Sequence, residues 1–239
     1  MHNIKLTIEF DGAGFFGWQY QPDRKTVQGE LQIALEKLVQ KPVKAYGCSR
    51  TDAGVSAHNY VANFYTQSKL GIERFRRALN YHLPKEIYIK SAELVDLLFH
   101  ARYNAKSKIY TYRIIRGQSP LRHARAWELR EAVDARRINK ALKLFVGRKD
   151  FQPFCLTRNI SGICTLFRLE LSETEDEISI LIQGDRFLYK MVRRIIGAVV
   201  TYGTGRITLA DIKAALAGKK HRSYRTAPSS GLILDSVQY

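Results

Sequence analysis

The chain has 239 residues, room for one large domain or two smaller ones, and 45% of them are hydrophobic, which excludes a disordered chain. Its 39 Lys and Arg exceed its 22 Asp and Glu, so the formal charge is +17 and we expect a partner that is a polyanion. The alternative is a charge excess that only keeps the protein in solution. No apolar run approaches the roughly 20 residues of a spanning helix, so no membrane partner is expected.

The first half of the chain has the predicted order β-α-β-β-α-β. Alternating apolar residues indicate its strands, and an apolar period near 3.6 residues indicates its helices. In chain order we predict the strand "KLTIEF", a helix capped by Thr26, the strands "PVKAYGC" and "NYVANFYT", a helix over 72–83 and the strand "EIYIKSAEL". A glycine-rich turn, "DGAGFFG", separates the first strand from the first helix. The amino terminus runs directly into the first strand, so no signal peptide is expected.

After residue 105 a similar order begins again, as β-α-β-β-α-α-β. Its predicted elements are the strand "KIYTYRIIR", a helix capped by Asp134 and ended by Gly147, the strands "CTLFRLELS" and "EISILIQG", the helices "FLYKMVRRIIGAVVTYG" and "TLADIKAALAG", and the strand "GLILDSVQY". The repetition predicts an α+β fold of two related halves, residues 1–104 and 105–239. Each half should be a mainly antiparallel sheet with helices on one face, and the two sheets should meet edge to edge or across a cleft that would suit an active site.

The three cysteines indicate the compartment. Cys48, Cys155 and Cys164 are odd in number and lack the CxxC or Cys/His spacing of a metal site. We therefore expect reduced thiols in a cytoplasmic protein, with neither a disulfide framework nor a bound metal.

The stretch "CSRTDAGVSA" places one carboxylate, Asp52, in the loop between two predicted strands. Asp and Gly are typical of turns, because Asp bonds to nearby backbone and Gly accepts positive φ, so Asp52 and Gly54 are compatible with a plain turn. A turn has no need of Arg50, however. An aspartate near an arginine is held ionised, as a nucleophile or a base must be, so Asp52 is our candidate for the reacting group.

The strand "SKIYTYRIIR" combines aromatic and basic residues. Period-two geometry places Tyr110 and Tyr112 on one face, with Lys108 beside them. Such a face can stack on an extruded base while its cations hold phosphates, and on this reading Lys108 binds the substrate. The alternative is an amphipathic strand that buries its aromatic side chains.

The helix predicted over "FLYKMVRRIIGAVV" carries a further candidate. Its apolar stripe is formed by Leu188, Val192, Ile195, Ile196 and Val199. Arg193 lies at the border of this stripe. A border arginine can reach a buried carboxylate, or it can simply extend to water.

Taken together, these segments resemble the tRNA pseudouridine synthase A family, in order and nearly from end to end. The resemblance is carried by "FDGAGFFGWQYQ", "TVQGEL", "GCSRTDAGVSA", "FHARYNAKSKIYTYRI", "FLYKMVRRIIGAV" and "APSSGLILDSVQY". It implies the pseudouridine synthase fold, with two α/β halves around a basic cleft, and a homodimer that binds tRNA. It also implies isomerisation of uridines in the anticodon stem-loop, usually positions 38 to 40, without metal or organic cofactor.

The resemblance also implies a role for each matched residue. Asp52 matches the catalytic aspartate, Arg193 the arginine that pairs with it, and Arg50 an arginine that assists extrusion of the base. Tyr110 matches the tyrosine that packs on the target base, and Leu232 matches an apolar wall from the last strand.

Three positions depart from the family's pattern. Ser56 stands where His is common, and Lys190 and Arg194 replace the more usual His and Asn around the matched arginine. These changes bear on the details of substrate recognition more than on the reaction.

Two other classes of protein are compatible with parts of the sequence. A non-catalytic RNA-binding protein would present a similar basic aromatic surface, but binding alone gives no reason for the "RTDAG" block. A metal-dependent nuclease would need several carboxylates that converge on Mg²⁺, and the acidic cluster "ETEDE" lies on a predicted hairpin tip.

Overall fold

The computed structural model describes residues 1–157 and 161–239. Over these ranges the strands are β1 (His2–Phe10), β2 (Tyr46–Gly47), β3 (Ser56–Thr66), β4 (Ile87–Val95), β5 (Ser107–Arg116), β6 (Trp127–Leu129), β7 (Gly147–Asp150), β8 (Ile163–Glu173), β9 (Glu177–Gly184) and β10 (Leu232–Gln238). The helices are α1 (Val27–Val39), α2 (Ile72–His82), α3 (Ala135–Leu142), α4 (Met191–Gly203) and α5 (Leu209–Leu216). Within the same ranges, none of these helices combines the length and the apolar character needed to cross a membrane.

The described chain divides into two compact units. The first unit is Met1–Lys106 together with Ile233–Tyr239, and the second is Ser107–Leu232. The last strand was expected to belong with residues 105–239, whereas β10 pairs in parallel with β3, with Ile233 opposite Ser56. Strand pairing, and not chain order, determines which sheet a strand joins.

The first unit is a sheet in the order β4-β1-β3-β10, with β2 beside β3 and two helices. β1 is antiparallel to both β3 and β4, and its alternating residues Ile4, Leu6, Ile8 and Phe10 are buried, as the pattern of "KLTIEF" predicts. The side chain of Thr26 caps α1 by accepting a hydrogen bond from the Gly29 N–H, as predicted. The order β-α-β-β-α-β of this half is confirmed.

Two buried asparagines attach the segment after β4 to this sheet. The Asn63 amide donates to the Asn3 side-chain oxygen (3.0 Å) and accepts from the Ala101 N–H (2.9 Å). The Asn3 amide donates in turn to the carbonyls of Asp96 and Phe99, both at 2.8 Å. Buried polar groups are costly unless paired, so these bonds set the position of residues 96–101.

The second unit is a sheet in the order β5-β9-β8-β7, with β6 parallel to β5 and three helices. β5 and β9 are antiparallel, with Tyr110 opposite Ile182, and β8 and β9 form the predicted hairpin. Asp134 caps α3 as expected, because its carboxylate accepts from the Arg136 N–H (2.8 Å). The predicted α+β class with mainly antiparallel sheets is confirmed.

Two predicted elements are shorter than the sequence suggested. The strand "PVKAYGC" is reduced to β2, because side chains of α1 take up the backbone groups of Ala45. Gln28 donates to its carbonyl (2.8 Å) and Gln32 accepts from its N–H (3.2 Å). The helix after Asp134 was wrongly extended to Gly147: it ends at Leu142, and Gly147, with φ of +98°, begins β7.

The helix predicted from Phe187 begins four residues later, at Met191. Lys190 adopts the left-handed conformation, with φ of +59°, and interrupts the helix at its start. Leu188 is buried, as the apolar stripe requires, but lies before the helix. The short strands β6 and β7 were missed because neither is long enough to show a periodic pattern.

Candidate active site

Asp52 lies in a tight turn between β2 and β3. The Val55 N–H donates to the Asp52 carbonyl (3.2 Å), and Gly54 has a φ of +81° that favours glycine. Arg50 is exposed and Asp52 is half-exposed, so the turn presents both side chains at its surface. The turn predicted from Asp and Gly is therefore present, and it carries the candidate reacting group.

The glycine-rich segment 12–18 holds this turn through backbone bonds. The Trp18 N–H donates to the Thr51 carbonyl (3.3 Å), and the Gly54 N–H donates to the Phe15 carbonyl (3.2 Å). These two bonds flank Asp52 on either side. Its backbone is thus positioned by main-chain hydrogen bonds from the glycine-rich segment.

Two glycines make this close approach sterically possible. Gly17 has a φ of +86°, and a Cβ at that position would overlap the Thr51 carbonyl oxygen and lie 3.1 Å from the Asp52 carbonyl carbon. A Cβ at Gly12 would overlap the Val55 carbonyl oxygen. The Gly12 N–H donates to the Ser56 hydroxyl (3.0 Å). Ser56, which stands where the family commonly has His, therefore helps to hold the same turn.

A stacked pair of aromatic side chains contacts the chain just before the turn. The Tyr60 ring stacks on the Trp18 indole with 4.2 Å between the ring centroids, and both side chains are buried. The Tyr60 hydroxyl donates to the Ser49 carbonyl. Gly47 leaves room for this pair, since a Cβ there would overlap the Tyr60 hydroxyl and the Trp18 indole.

In the second unit, Tyr110 and Tyr112 share a face of β5 as predicted, and both are buried. The Tyr110 ring meets the Phe187 ring edge-on, with 5.1 Å between centroids. The Tyr112 hydroxyl donates to the Pro228 carbonyl (2.7 Å), and burial raises the Tyr112 pKa well above its ordinary value. Lys108 is only 7% exposed. The burial of both rings matches the alternative of an amphipathic strand, while the two tyrosines pack against different neighbours.

Arg193 lies in the first turn of α4, and the segment after α5 fixes its direction. Its Nε–H donates to the Ala227 carbonyl (2.8 Å), and the Ala227 N–H donates back to the Arg193 carbonyl (3.0 Å). Leu232 follows this segment and is buried.

The neighbouring Arg194 has other partners. It donates to the Pro153 carbonyl and to the Tyr224 hydroxyl, both at 3.3 Å. Arg194, which stands where the family more usually has Asn, therefore holds two neighbouring segments together.

The structure places the predicted site residues in two groups. Asp52 and Arg50 share the turn of the first unit, while the other four lie in the second unit: Lys108, Tyr110, Arg193 and Leu232. Sequence reasoning missed the supporting residues, above all Gly12, Gly17 and Ala227. The glycines of "DGAGFFG" were a signal, but they indicated only a turn and not what the turn would contact.

Comparison with known proteins identifies the family. A family model described as tRNA pseudouridine synthase matches residues 6–104 and 141–239. The chain belongs to this family. It is 39% identical over 244 residues to tRNA pseudouridine synthase A of Clostridium botulinum (strain Eklund 17B / Type B), and 40% identical over 245 residues to tRNA pseudouridine synthase A of Acetivibrio thermocellus. All of this chain and all of each relative are covered, so the resemblance and the pseudouridine synthase fold are confirmed.

The Gly17 contact generates a direct test of the turn. Gly17→Ala forces a Cβ toward the Thr51 carbonyl and strains a left-handed φ, which should displace the Asp52 turn. We expect pseudouridine formation on a tRNA transcript to slow by about 10²-fold, the typical cost of misplacing a reacting group by about 1 Å. Gly14→Ala is the matched control, because a Cβ there meets nothing within 4 Å. Equal rates for the two variants would show that the turn does not depend on this approach.

Proposed function

We propose that the chain isomerises uridine to pseudouridine in the anticodon stem-loop of tRNA, at positions 38 to 40. The observation that carries this proposal is the turn of Asp52, which backbone bonds from Phe15 and Trp18 hold on both sides while the carboxylate is half-exposed. Membership of the tRNA pseudouridine synthase family over most of the chain supports the same reaction. The +17 charge supports a polyanionic substrate.

The reaction is an isomerisation in which atoms and electrons balance within the nucleotide. The glycosidic bond from N1 to C1′ breaks, the base turns, and a bond forms from C5 to C1′. C5 loses its proton and N1 gains one, so no oxidant, reductant or water is consumed. An enzyme for this reaction needs groups that stabilise charge and move one proton.

A single carboxylate suits the first of these tasks. Cleavage of the glycosidic bond develops positive charge at C1′, and a carboxylate can stabilise or trap it, as carboxylates do in glycosidases. Asp52 would take this role. Attack of Asp52 on the base and abstraction of a sugar proton are alternative routes with the same product.

The other matched residues receive the roles that the family resemblance implies. Tyr110 would pack on the target base and remove the C5 proton, and its nearly complete burial supports a site that excludes water. Arg193 would pair with the aspartate, and the Ala227 carbonyl supports this by orienting the guanidinium. Arg50 would assist extrusion of the nucleotide from the stack, and Lys108 would bind the substrate. Leu232 would form an apolar wall against the base.

We also propose that the chain acts as a homodimer in the cytoplasm, without metal or organic cofactor. The family resemblance supports the dimer, and the three reduced cysteines support the compartment. The chemistry supports the absence of a cofactor, because the isomerisation involves no redox step.

The first test maps pseudouridine directly. An unmodified tRNA transcript incubated with the chain should acquire carbodiimide adducts that stop primer extension at positions 38 to 40. Asp52→Asn retains the shape of the side chain and removes its charge, so it should yield no detectable adduct while tRNA affinity stays within about 3-fold. Asp23→Asn makes the same change of charge at an exposed position and should retain full activity. Substantial turnover by Asp52→Asn would contradict its role.

The second test distinguishes the two tyrosines. Tyr110→Phe keeps the ring and removes the hydroxyl, so tRNA should still bind while single-turnover pseudouridine formation falls by about 10²–10⁴-fold, the usual contribution of a positioned acid or base. Tyr112→Phe should leave the rate nearly unchanged. It should lower the free energy of unfolding by about 1 kcal/mol, because the hydroxyl donates to the Pro228 carbonyl. The reverse pattern of rates would exchange the assignments.

A further inference from the structure

Four aromatic rings of the first unit form a continuous run outside the Asp52 turn. The Tyr65 and Tyr46 ring centroids are 6.3 Å apart, those of Tyr46 and His100 are 5.2 Å apart, and those of His100 and Tyr103 are 4.4 Å apart. We refer to Tyr46, Tyr65, His100 and Tyr103 as the aromatic platform. Its last ring, Tyr103, is 78% exposed to solvent.

Two cations lie over the rings of the aromatic platform. The Lys44 ammonium is 5.3 Å from the Tyr46 ring centroid, and the Arg102 guanidinium carbon is 6.0 Å from the Tyr103 ring centroid. Both cationic side chains belong to exposed residues. Rings with cations at their faces are the combination that proteins use to bind single-stranded nucleic acid, because the rings stack on bases and the cations hold phosphates.

The turn that carries Tyr103 is held in a fixed conformation. The His100 N–H donates to the Asn104 side-chain oxygen (2.7 Å), and the Asn104 N–H donates to the His100 carbonyl (3.1 Å). The Arg102 N–H donates to the Nδ1 atom of His100 (3.1 Å), so the ring accepts at Nδ1. The bonds from Asn63 to Phe99 and Ala101 attach this turn to the sheet.

The state of the His100 ring suits stacking on a base. Burial and the nearby Arg102 lower the His100 pKa below its ordinary value, so the imidazole is neutral at pH 7. A neutral ring avoids repulsion with Lys44 and Arg102 and continues the aromatic surface. An exposed ring on a prearranged turn loses little conformational entropy when a ligand stacks on it.

We propose that the aromatic platform stacks an unpaired nucleobase of the tRNA substrate, with Tyr103 as the contacting ring. Lys44 and Arg102 bind the phosphates next to that base. The identity of the RNA as tRNA rests on the proposed function, whereas the stacking rests on the geometry of the platform. The role of the platform is to bind and orient the RNA, and it takes no part in the chemistry at the target uridine.

A second copy of this chain is the other occupant to consider, because Leu97 and Leu98 are exposed beside the platform, at 54% and 88%. The charges favour RNA. Each copy carries a formal charge of +17, so a contact between copies through Lys44 and Arg102 would bring like charges together, whereas a phosphate backbone complements them.

The test compares variants in binding of an unmodified tRNA transcript, measured by fluorescence anisotropy. Tyr103→Ala removes the ring and should weaken binding by about 5- to 150-fold, the range for one stacked base. Tyr103→Phe keeps the ring and should bind within about 2-fold of the unmodified chain. Tyr81→Ala is the matched control, because Tyr81 is 84% exposed on α2 beside another histidine, His82, and should bind normally.

Two further measurements separate stacking from charge. Tyr103→Ala should leave the slope of log K against log salt unchanged, whereas Arg102→Gln should reduce it by about one phosphate contact. Tyr103→Ala should weaken binding of a single-stranded oligonucleotide but not of a blunt duplex, since only an unpaired base can stack on the ring. Unchanged tRNA affinity in Tyr103→Ala, or an equal loss in Tyr81→Ala, would overturn the proposal.

The remaining outcomes are also decisive. A change in the mass of Tyr103→Ala by light scattering, without loss of affinity for single-stranded RNA, would assign the platform to contact between copies and overturn the RNA proposal. If the unmodified chain binds tRNA but forms no pseudouridine, the proposed function fails while the stacking result stands. If it forms pseudouridine and Tyr103→Ala binds normally, only the platform fails.

Discussion

The arrangement of the candidate site depends on one backbone contact, between the glycine-rich segment 12–18 and the turn that carries Asp52. The segment follows β1 and the turn precedes β3, and these two strands are antiparallel neighbours with Phe10 opposite Ala57. Strand pairing therefore brings the segment to the turn. The hydrogen bonds at Thr51 and Gly54 then fix the turn, and Gly17 allows the chains to approach closely enough to form them. A carboxylate on such a turn is positioned by the sheet.

The second unit uses backbone contacts in a similar way. The segment after α5 exchanges two hydrogen bonds with Arg193 through Ala227, and the next carbonyl, of Pro228, accepts from the Tyr112 hydroxyl. Gly197 allows this segment to pack on α4, because a Cβ there would overlap the Arg225 carbonyl. One short segment thus orients an arginine at the start of a helix and binds a tyrosine on a strand. Preorganised polar groups of this kind reduce the cost of ordering a site when the substrate binds.

Much of the fold could be predicted from the sequence, because long periodic segments determine their own structure. The pattern "KLTIEF", the cap at Thr26 and the cap at Asp134 all predicted real elements. The predictions were wrong where a local conformation or a distant contact overrides periodicity. Lys190 delays α4 by adopting positive φ, and the side chains of Gln28 and Gln32 shorten β2 by binding Ala45.

The site could be predicted only in part for the same reason. The unusual "RTDAG" block indicated Asp52, but the contacts that hold its turn come from residues more than thirty positions away, which no local pattern reveals. Strand geometry placed Tyr110 and Tyr112 on one face and could not rank them. Only their partners in the folded chain distinguish the two: the Tyr110 ring packs on Phe187, and the Tyr112 hydroxyl donates to the Pro228 carbonyl.

The central claim is that the position of the Asp52 carboxylate, and not only its charge, makes the site active. The most direct measurement is single-turnover release of tritium from C5 of uridine in a labelled tRNA transcript, for the unmodified chain and for Asp52→Glu. The substitution keeps the carboxylate and displaces it by one methylene group, on a turn that hydrogen bonds at Thr51 and Gly54 hold in place. We predict that tritium release slows by about 10²-fold or more, as expected for a misplaced reacting group, with tRNA affinity unchanged. Release within about 3-fold of the normal rate would contradict the claim.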